Sequence, residues 1–325
     1  MYEDFYRLNR KPFSILPDPD YLYWGRSHSL AYAMLEYGVM NQAGFTVVTG
    51  EIGCGKTTLI RHLLNKLDRD YTVGLVSNIQ DGDLLEWVLS SFGLPYENRS
   101  HVALHELLQS FLIDQYSHGK RTILIVDEAQ NLGTRLLEQL RLLSNINADN
   151  DQLLQLILVG QPQLKTLLQR PELAQFAQRV ASDFHLVPLS LQDVEKYIRH
   201  RLEVAGRFDD LFTDVACERI FEASRGIPRL INILCDTCLV YGYAQQAERI
   251  DSAIVDEVIT DKKTHGVFNA GGSEPGETSS GPVEEEKDSR ATVQGPVRIQ
   301  DREGEPALVI NDRELARLLL SKLQT

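Results

Sequence analysis

FTVVTGEIGCGKTTLIRHLLNKL, residues 45–67, decides how the chain is read. Its first six residues are a short apolar, β-branched run, the mark of a buried strand. A glycine loop follows, and from Thr57 onward the apolar positions recur at helical spacing. Strand, loop and helix in this order form the context in which G-x-x-x-x-G-K-T binds phosphate. The glycines let backbone N–H groups turn toward phosphate oxygens, and the helix N-terminus adds positive potential. On this reading Gly50, Glu51, Ile52, Gly53, Cys54, Gly55, Lys56, Thr57 and Thr58 line a nucleotide phosphate site. Lys56 neutralises charge on the β- and γ-phosphates, and the Thr57 hydroxyl ligates Mg²⁺; the expected ligands are ATP and Mg²⁺. Cys54 is small enough to fit the loop, although a thiol at a helix N-terminus can also be a reactive one.

Further apolar runs flank this unit: YTVGLVSN (71–78), RTILIVDEA (121–129), LLQLILVG (153–160) and FHLVPL (184–189). They alternate with helical patterns and are apolar on both faces, as parallel strands covered on two sides must be. The expected fold is a three-layer α/β/α nucleoside-triphosphatase with a parallel sheet. ILIVDE puts Asp127 and Glu128 at the C-terminal end of a strand, where open α/β sheets hold ligands. Asp127 can hold the magnesium through water, and Glu128 can polarise the water that attacks the γ-phosphate. Gln161, ending the next strand, reads as a γ-phosphate sensor, with Asn145 in LLSNIN a weaker candidate. Arg179 precedes the last strand, where an arginine can reach a neighbouring subunit's nucleotide. Arg229, in Gly226-Ile-Pro-Arg, stands at the first turn of a helix from which it can report nucleotide state. Tyr23 and His28, in an aromatic-rich N-terminal segment, are candidates for contact with the base, or for core packing.

After Leu189 only helical patterns remain. Ser190 caps SLQDVEKYIRHRLEVAG, Pro228 opens PRLINILCDTCLVYGYAQ, and DSAIVDEVITD completes the set. The expected organisation is an α/β domain over 1–189, a helical lid over 190–263, an acidic, disordered Gly/Ser/Pro/Glu-rich linker over 264–306 and a short amphipathic helix over 307–325, capped by Asn311. A tethered helix of this kind suits docking on a partner or on the chain's own body. At 325 residues, 43% hydrophobic and 24% charged, the composition is that of a globular protein. A net charge of −13 argues against a duplex-coating protein while leaving room for a locally basic face. Four scattered cysteines exclude a disulfide framework, and Cys235 and Cys238 lack a second ligand pair, so they read as core residues. The N-terminus lacks a signal-peptide pattern and no run of eighteen apolar residues occurs, so a cytoplasmic protein without membrane insertion is expected.

Taken together, FYRLNRKPFSILPDPDYLY, GEIGCGKTT, ILIVDEAQNL, LRLLSNI, LILVGQPQL, QRV and GIPRLIN resemble, in order and spacing over residues 1–260, the ExeA/GspA-type bacterial AAA+ ATPases. That group includes general secretion pathway proteins, pilus-biogenesis relatives such as MshM, and the exosortase (PEP-CTERM) and exopolysaccharide-associated ATPase. The resemblance implies an oligomeric ATPase that drives assembly or export at the cell envelope through a protein partner. The longer secretion members continue past the lid into a membrane helix and a peptidoglycan-binding part; here the acidic linker follows, so any membrane association is expected through a partner. The same core also resembles the TniB/MuB-type transposition helpers, which implies the alternative of a DNA-binding ATPase.

Overall fold

The computed structural model describes residues 1–77, 79, 83–148 and 151–265, and the backbone of 297–300 and 306–310. The chain divides into two compact units, one over 17–187 joined by the last two strands, the other formed by 1–16 and 188–265.

The first unit runs α1 (Arg26–Met40), β1 (Phe45–Gly50), α2 (Lys56–Lys66), β2 (Tyr71–Val76), α3 (Leu84–Ser91), α4 (His101–Ser117), β3 (Arg121–Val126) and α5 (Gly133–Leu143). A two-residue-per-strand hairpin, β4 (Asn147–Ala148) and β5 (Asp151–Gln152), then leads to β6 (Leu154–Gly160), α6 (Pro162–Leu168), α7 (Ala174–Ala177) and β7 (Val180–Leu186). Five strands form a parallel sheet in the order β7-β1-β6-β3-β2. Alternation along each strand builds two cores. Leu124 and Val126 of β3, with Leu156 and Leu158 of β6, pack among Leu89, Leu108 and Leu140 of α3, α4 and α5. Ile123 and Ile125, with Ile157 and Val159, pack on the other face among Leu35, Leu59 and Leu63 of α1 and α2. Both faces being covered explains why β1 and β6 are buried along their whole length.

β7 begins four residues before the expected run and stops at Leu186, short of Pro188. As a border strand of the five it is only partly buried, so VASDFHL mixes polar with apolar residues and lacks the continuous apolar run of a central strand. At the other border β9 (Pro306–Ile310) pairs parallel with β2, and β8 (Val297–Gln300) pairs antiparallel with β9. These strands replace disorder at 297–300 and helix at 307–310; VRIQ and PALVI carry β-branched residues suited to pairing. The helix expected from Asn311 onward, and the linker over 266–296, lie outside the described residues.

The second unit is helical: α8 (Leu191–Val204), α9 (Asp214–Ser224), α10 (Pro228–Ala244) and α11 (Ser252–His265). Ser190 and Thr213 cap α8 and α9 by accepting from the N–H groups of Asp193 and Ala216. Cys235 and Cys238 are buried in α10, and burial pushes the Cys238 thiol up to about 12. Residues 1–16, expected with the α/β domain, belong here instead. Arg201 on α8 is buried and its guanidinium donates to the carbonyls of Pro12 and Ser14 and to the Tyr197 hydroxyl. The Asn9 N–H donates to the Ala205 carbonyl at 2.8 Å, and Phe13 meets Phe212 edge to face. A buried guanidinium needs acceptors, and this N-terminal segment supplies them.

Candidate nucleotide site

All five core strands run parallel, so their C-terminal ends share one edge, and the chain brings its chemistry there. Thr49 is opposite Gly160, and Val126 is opposite Val76 and Leu158, so the residues after β1, β3 and β6 emerge side by side. β1 lies between β6 and β7, where the strand order reverses, which is where doubly wound sheets open a crevice.

The loop after β1 takes its shape from Gly53 (φ 84°) and Gly55 (φ 94°), both in the left-handed region. Gly55 also lies so close to His28 that a Cβ there would sit 3.0 Å from the ring Nε2. No side chain caps α2, so its first-turn N–H groups point at the loop with the helix dipole behind them. Lys56 is buried and its ammonium donates to the carbonyls of Gly50 (2.8 Å) and Glu51 (3.0 Å), which holds the cation in the loop. Cys54 is fully buried, and burial pushes its thiol up to about 11. The reactive-thiol reading is therefore overturned: desolvation outweighs the helix N-terminus. His28, expected near the base or in the core, lies in the core beneath the loop. Its Nε2 stands 2.9 Å from the Cys54 carbonyl, which can only accept, so this nitrogen carries the proton.

Asp127 and Glu128 follow β3. The Thr57 hydroxyl donates to Asp127 Oδ2 at 3.3 Å, and the Glu128 N–H donates to Oδ1 at 2.9 Å. Burial pushes the Asp127 carboxyl above its ordinary value, and Glu128 adds to the rise. The Glu128 N–H, Lys56 and the Thr57 hydroxyl pull it back. A hydroxyl and a carboxylate, both hard oxygen donors, thus converge beside the phosphate loop, a donor set that fits Mg²⁺. Glu128 has φ 53°, in the left-handed region, at a cost on the order of 1–2 kcal/mol for a residue with a Cβ. That turn starts the 3₁₀ segment Ala129–Asn131.

Gln161 follows β6 and its side-chain amide donates to Glu128 Oε2 at 3.1 Å. Gln130 donates to the same oxygen and accepts from the Gln161 N–H at 2.9 Å. The sequence reading missed Gln130; its signal was an amide two residues beyond a strand-end Asp-Glu pair. Asn145 is not at this edge. It follows α5 and, with the Leu153 N–H bonded to the Ile146 carbonyl, lies by the N-terminal end of β6. Arg179 also lies at that far edge, one residue before β7, with Val180 opposite Phe45 at the start of β1. It donates to Ser144 Oγ at 3.0 Å and is half-buried against the end of α5. Six residues of strand, about 20 Å, separate that edge from Gly50. Arg229 is exposed in the second position of α10, in the helical unit.

A phosphate loop, an acidic pair and a strand-end amide share one edge of the β7-β1-β6-β3-β2 parallel sheet, the arrangement of an AAA-type domain. The AAA domain family matches residues 39–168. More particularly, the chain is of the ExeA/GspA type: it is 43% identical over 253 residues to General secretion pathway protein A of Aeromonas hydrophila, covering 77% of this chain and 46% of that one. The chain thus spans about half the length of that relative. Among solved structures, the Aeropyrum pernix ORC2 protein matches with a TM-score of 0.59 at 15% identity, covering 78% of this chain and 72% of that one. Cdc6p from Pyrobaculum aerophilum also matches at 0.59 and 15%, covering 77% and 70%. At such identities they show the shared fold. Among the described residues no helix is long and apolar enough to cross a membrane.

Proposed function

We propose that this chain is a Mg²⁺-dependent ATPase whose hydrolysis drives assembly or export of an envelope complex. The observation that carries the reading is the convergence of Thr57, Asp127, Glu128 and Gln161 on the edge that holds the phosphate loop. The loop N–H groups from Gly50 to Thr58 receive the phosphates, and the Lys56 ammonium turns from the loop carbonyls to the β- and γ-oxygens. Thr57 and Asp127 would hold the magnesium, which when bound would supply positive charge against the transferring phosphoryl group. Glu128 accepts the proton of the attacking water, and Gln161, beside it, orients that water and the γ-phosphate.

Arg179 stands too far along the sheet to reach the phosphates of its own subunit, which supports a role on a neighbour's nucleotide in a homo-oligomer. Arg229, at the start of α10, reports nucleotide state to the helical unit. The similarity to General secretion pathway protein A supports an envelope role; on this reading the chain works in the cytoplasm, peripheral to the inner membrane through a protein partner, and pilus and exopolysaccharide systems are sister settings. Net charge of −13 sets the DNA-dependent transposition-helper alternative second.

The test is ATPase rate against protein concentration for wild type, Glu128→Gln and Arg179→Ala, with and without DNA. A steep concentration dependence, lost in both variants and indifferent to DNA, is expected. Stimulation by DNA would move the alternative to first place, and wild-type turnover by Glu128→Gln would sink the mechanism.

A further inference from the structure

We infer that Gln130 is a positioning residue for ATP hydrolysis, which holds the Glu128 carboxylate by one oxygen and leaves the other to face water. The inference rests on the reading of Glu128 as the base. Three bonds carry it. Gln130 Nε2 donates to Glu128 Oε2, Gln161 Nε2 donates to the same oxygen at 3.1 Å, and the Gln161 N–H donates to Gln130 Oε1 at 2.9 Å. Among the described residues nothing hydrogen-bonds Glu128 Oε1, so one oxygen is pinned and the other remains available.

An amide is the side chain this geometry requires. It offers a donor toward a carboxylate and an acceptor toward a main-chain N–H at the same time. A carboxylate at 130 would keep the acceptor but repel Glu128, and a thioether would supply neither bond. A second, independent feature supports the fit. Gly160 closes β6 directly against this amide: a Cβ there would lie 2.8 Å from Gln130 Oε1 and 2.8 Å from a Leu164 methyl. The end of β6 is therefore shaped to admit the Gln130 side chain. Without the clamp, Glu128 sits on a turn with left-handed backbone and can rotate about its side-chain torsions, so it spends less time aligned with water.

The experiment compares the full 325-residue chain with Gln130→Met and Gln130→Glu, each alone and combined with Glu128→Gln. The readouts are kcat, KM, affinity for a non-hydrolysable ATP analogue, and melting temperature. Both Gln130 variants are expected to lower kcat by roughly 10- to 100-fold while KM and analogue affinity stay within about threefold. In the Glu128→Gln background the same substitutions should change the residual single-turnover rate by less than about twofold, because Gln130 acts only through Glu128. An unchanged or raised kcat, or an equal fall in both backgrounds, overturns the inference. A loss of analogue affinity that parallels the loss of kcat also overturns it, since it marks a role in building the loop. Wild-type turnover by Glu128→Gln would overturn the base assignment and this inference together, whereas an inactive Glu128→Gln beside a fully active Gln130→Met would overturn this inference alone.

Discussion

Replacing Arg201 with methionine should release the N-terminal segment from the helical unit. Arg201 is 6% exposed, and its guanidinium donates to the Pro12 carbonyl, to the Tyr197 hydroxyl at 2.8 Å and to the Ser14 carbonyl at 3.2 Å. Methionine keeps much of the apolar stem while removing every donor. Tyr197 still donates to Asn232 at 2.9 Å, and Ser14 still accepts from Asn232 at 3.4 Å, so the Pro12 carbonyl suffers most. An orphaned buried acceptor costs about 1–3 kcal/mol and each bond from a charged donor contributes about 1.5–3 kcal/mol. Relief of guanidinium desolvation offsets several kcal/mol of that, leaving a net loss of about 2–4 kcal/mol. The assay is limited trypsinolysis in native buffer, followed by mass spectrometry for cleavage after Arg7 and Arg10. If cleavage requires local opening, 2–4 kcal/mol corresponds to roughly 30- to 700-fold faster release. Arg199→Met on the same helix, where an exposed arginine pairs with Glu195 and Asp210, should change the rate by less than about threefold. Cleavage of Arg201→Met at the Arg199→Met rate would refute the assignment of residues 1–16 to this unit.

Three further outcomes are expected. Gly226→Ala places a Cβ 2.0 Å from the Leu189 carbonyl oxygen at φ 72° and should lose about 3 kcal/mol or more in urea unfolding, while Gly119→Ala, at φ 73° with open space around it, should lose about 1 kcal/mol; equal losses would contradict the contact. Asp127→Asn, without nucleotide or magnesium, should raise the melting temperature near pH 8. The native pKa of Asp127 is raised, so its ionised form costs stability above that value and the cost vanishes as pH falls through it; a gain that persists or grows at acid pH would disprove the sign. Cys54, held at about 11 and fully buried, has about one thiolate in a thousand at pH 8 and should resist iodoacetamide in the native protein while reacting promptly in urea.

Much of the fold and part of the site were legible in the sequence because local chemistry encodes them. Gly53 and Gly55 permit left-handed backbone, a strand precedes them and a helix follows, and those requirements are met within twelve residues. The apolar runs ending at Gly50, Val126 and Gly160 could only be strands covered on both faces, so Lys56, Asp127 and Gln161 fell on one edge. Border position, by contrast, gives β7 polar residues among the apolar ones, so its start carries no continuous apolar run.

The phosphate loop, the acidic pair and the parallel sheet are encoded locally, since each follows from backbone freedom or side-chain period over a few neighbouring positions. Long-range packing joins residues 1–16 to helices nearly two hundred positions away, because a buried Arg201 needs carbonyls and the pairing of donor with acceptor is not local. It alone set Asn145 and Arg179 at the far edge from the loop, since the strand register sets that distance. And it alone joined Gln130 to Glu128 and Gln161, because the meeting of two loop ends depends on β3 and β6 being neighbours in the sheet.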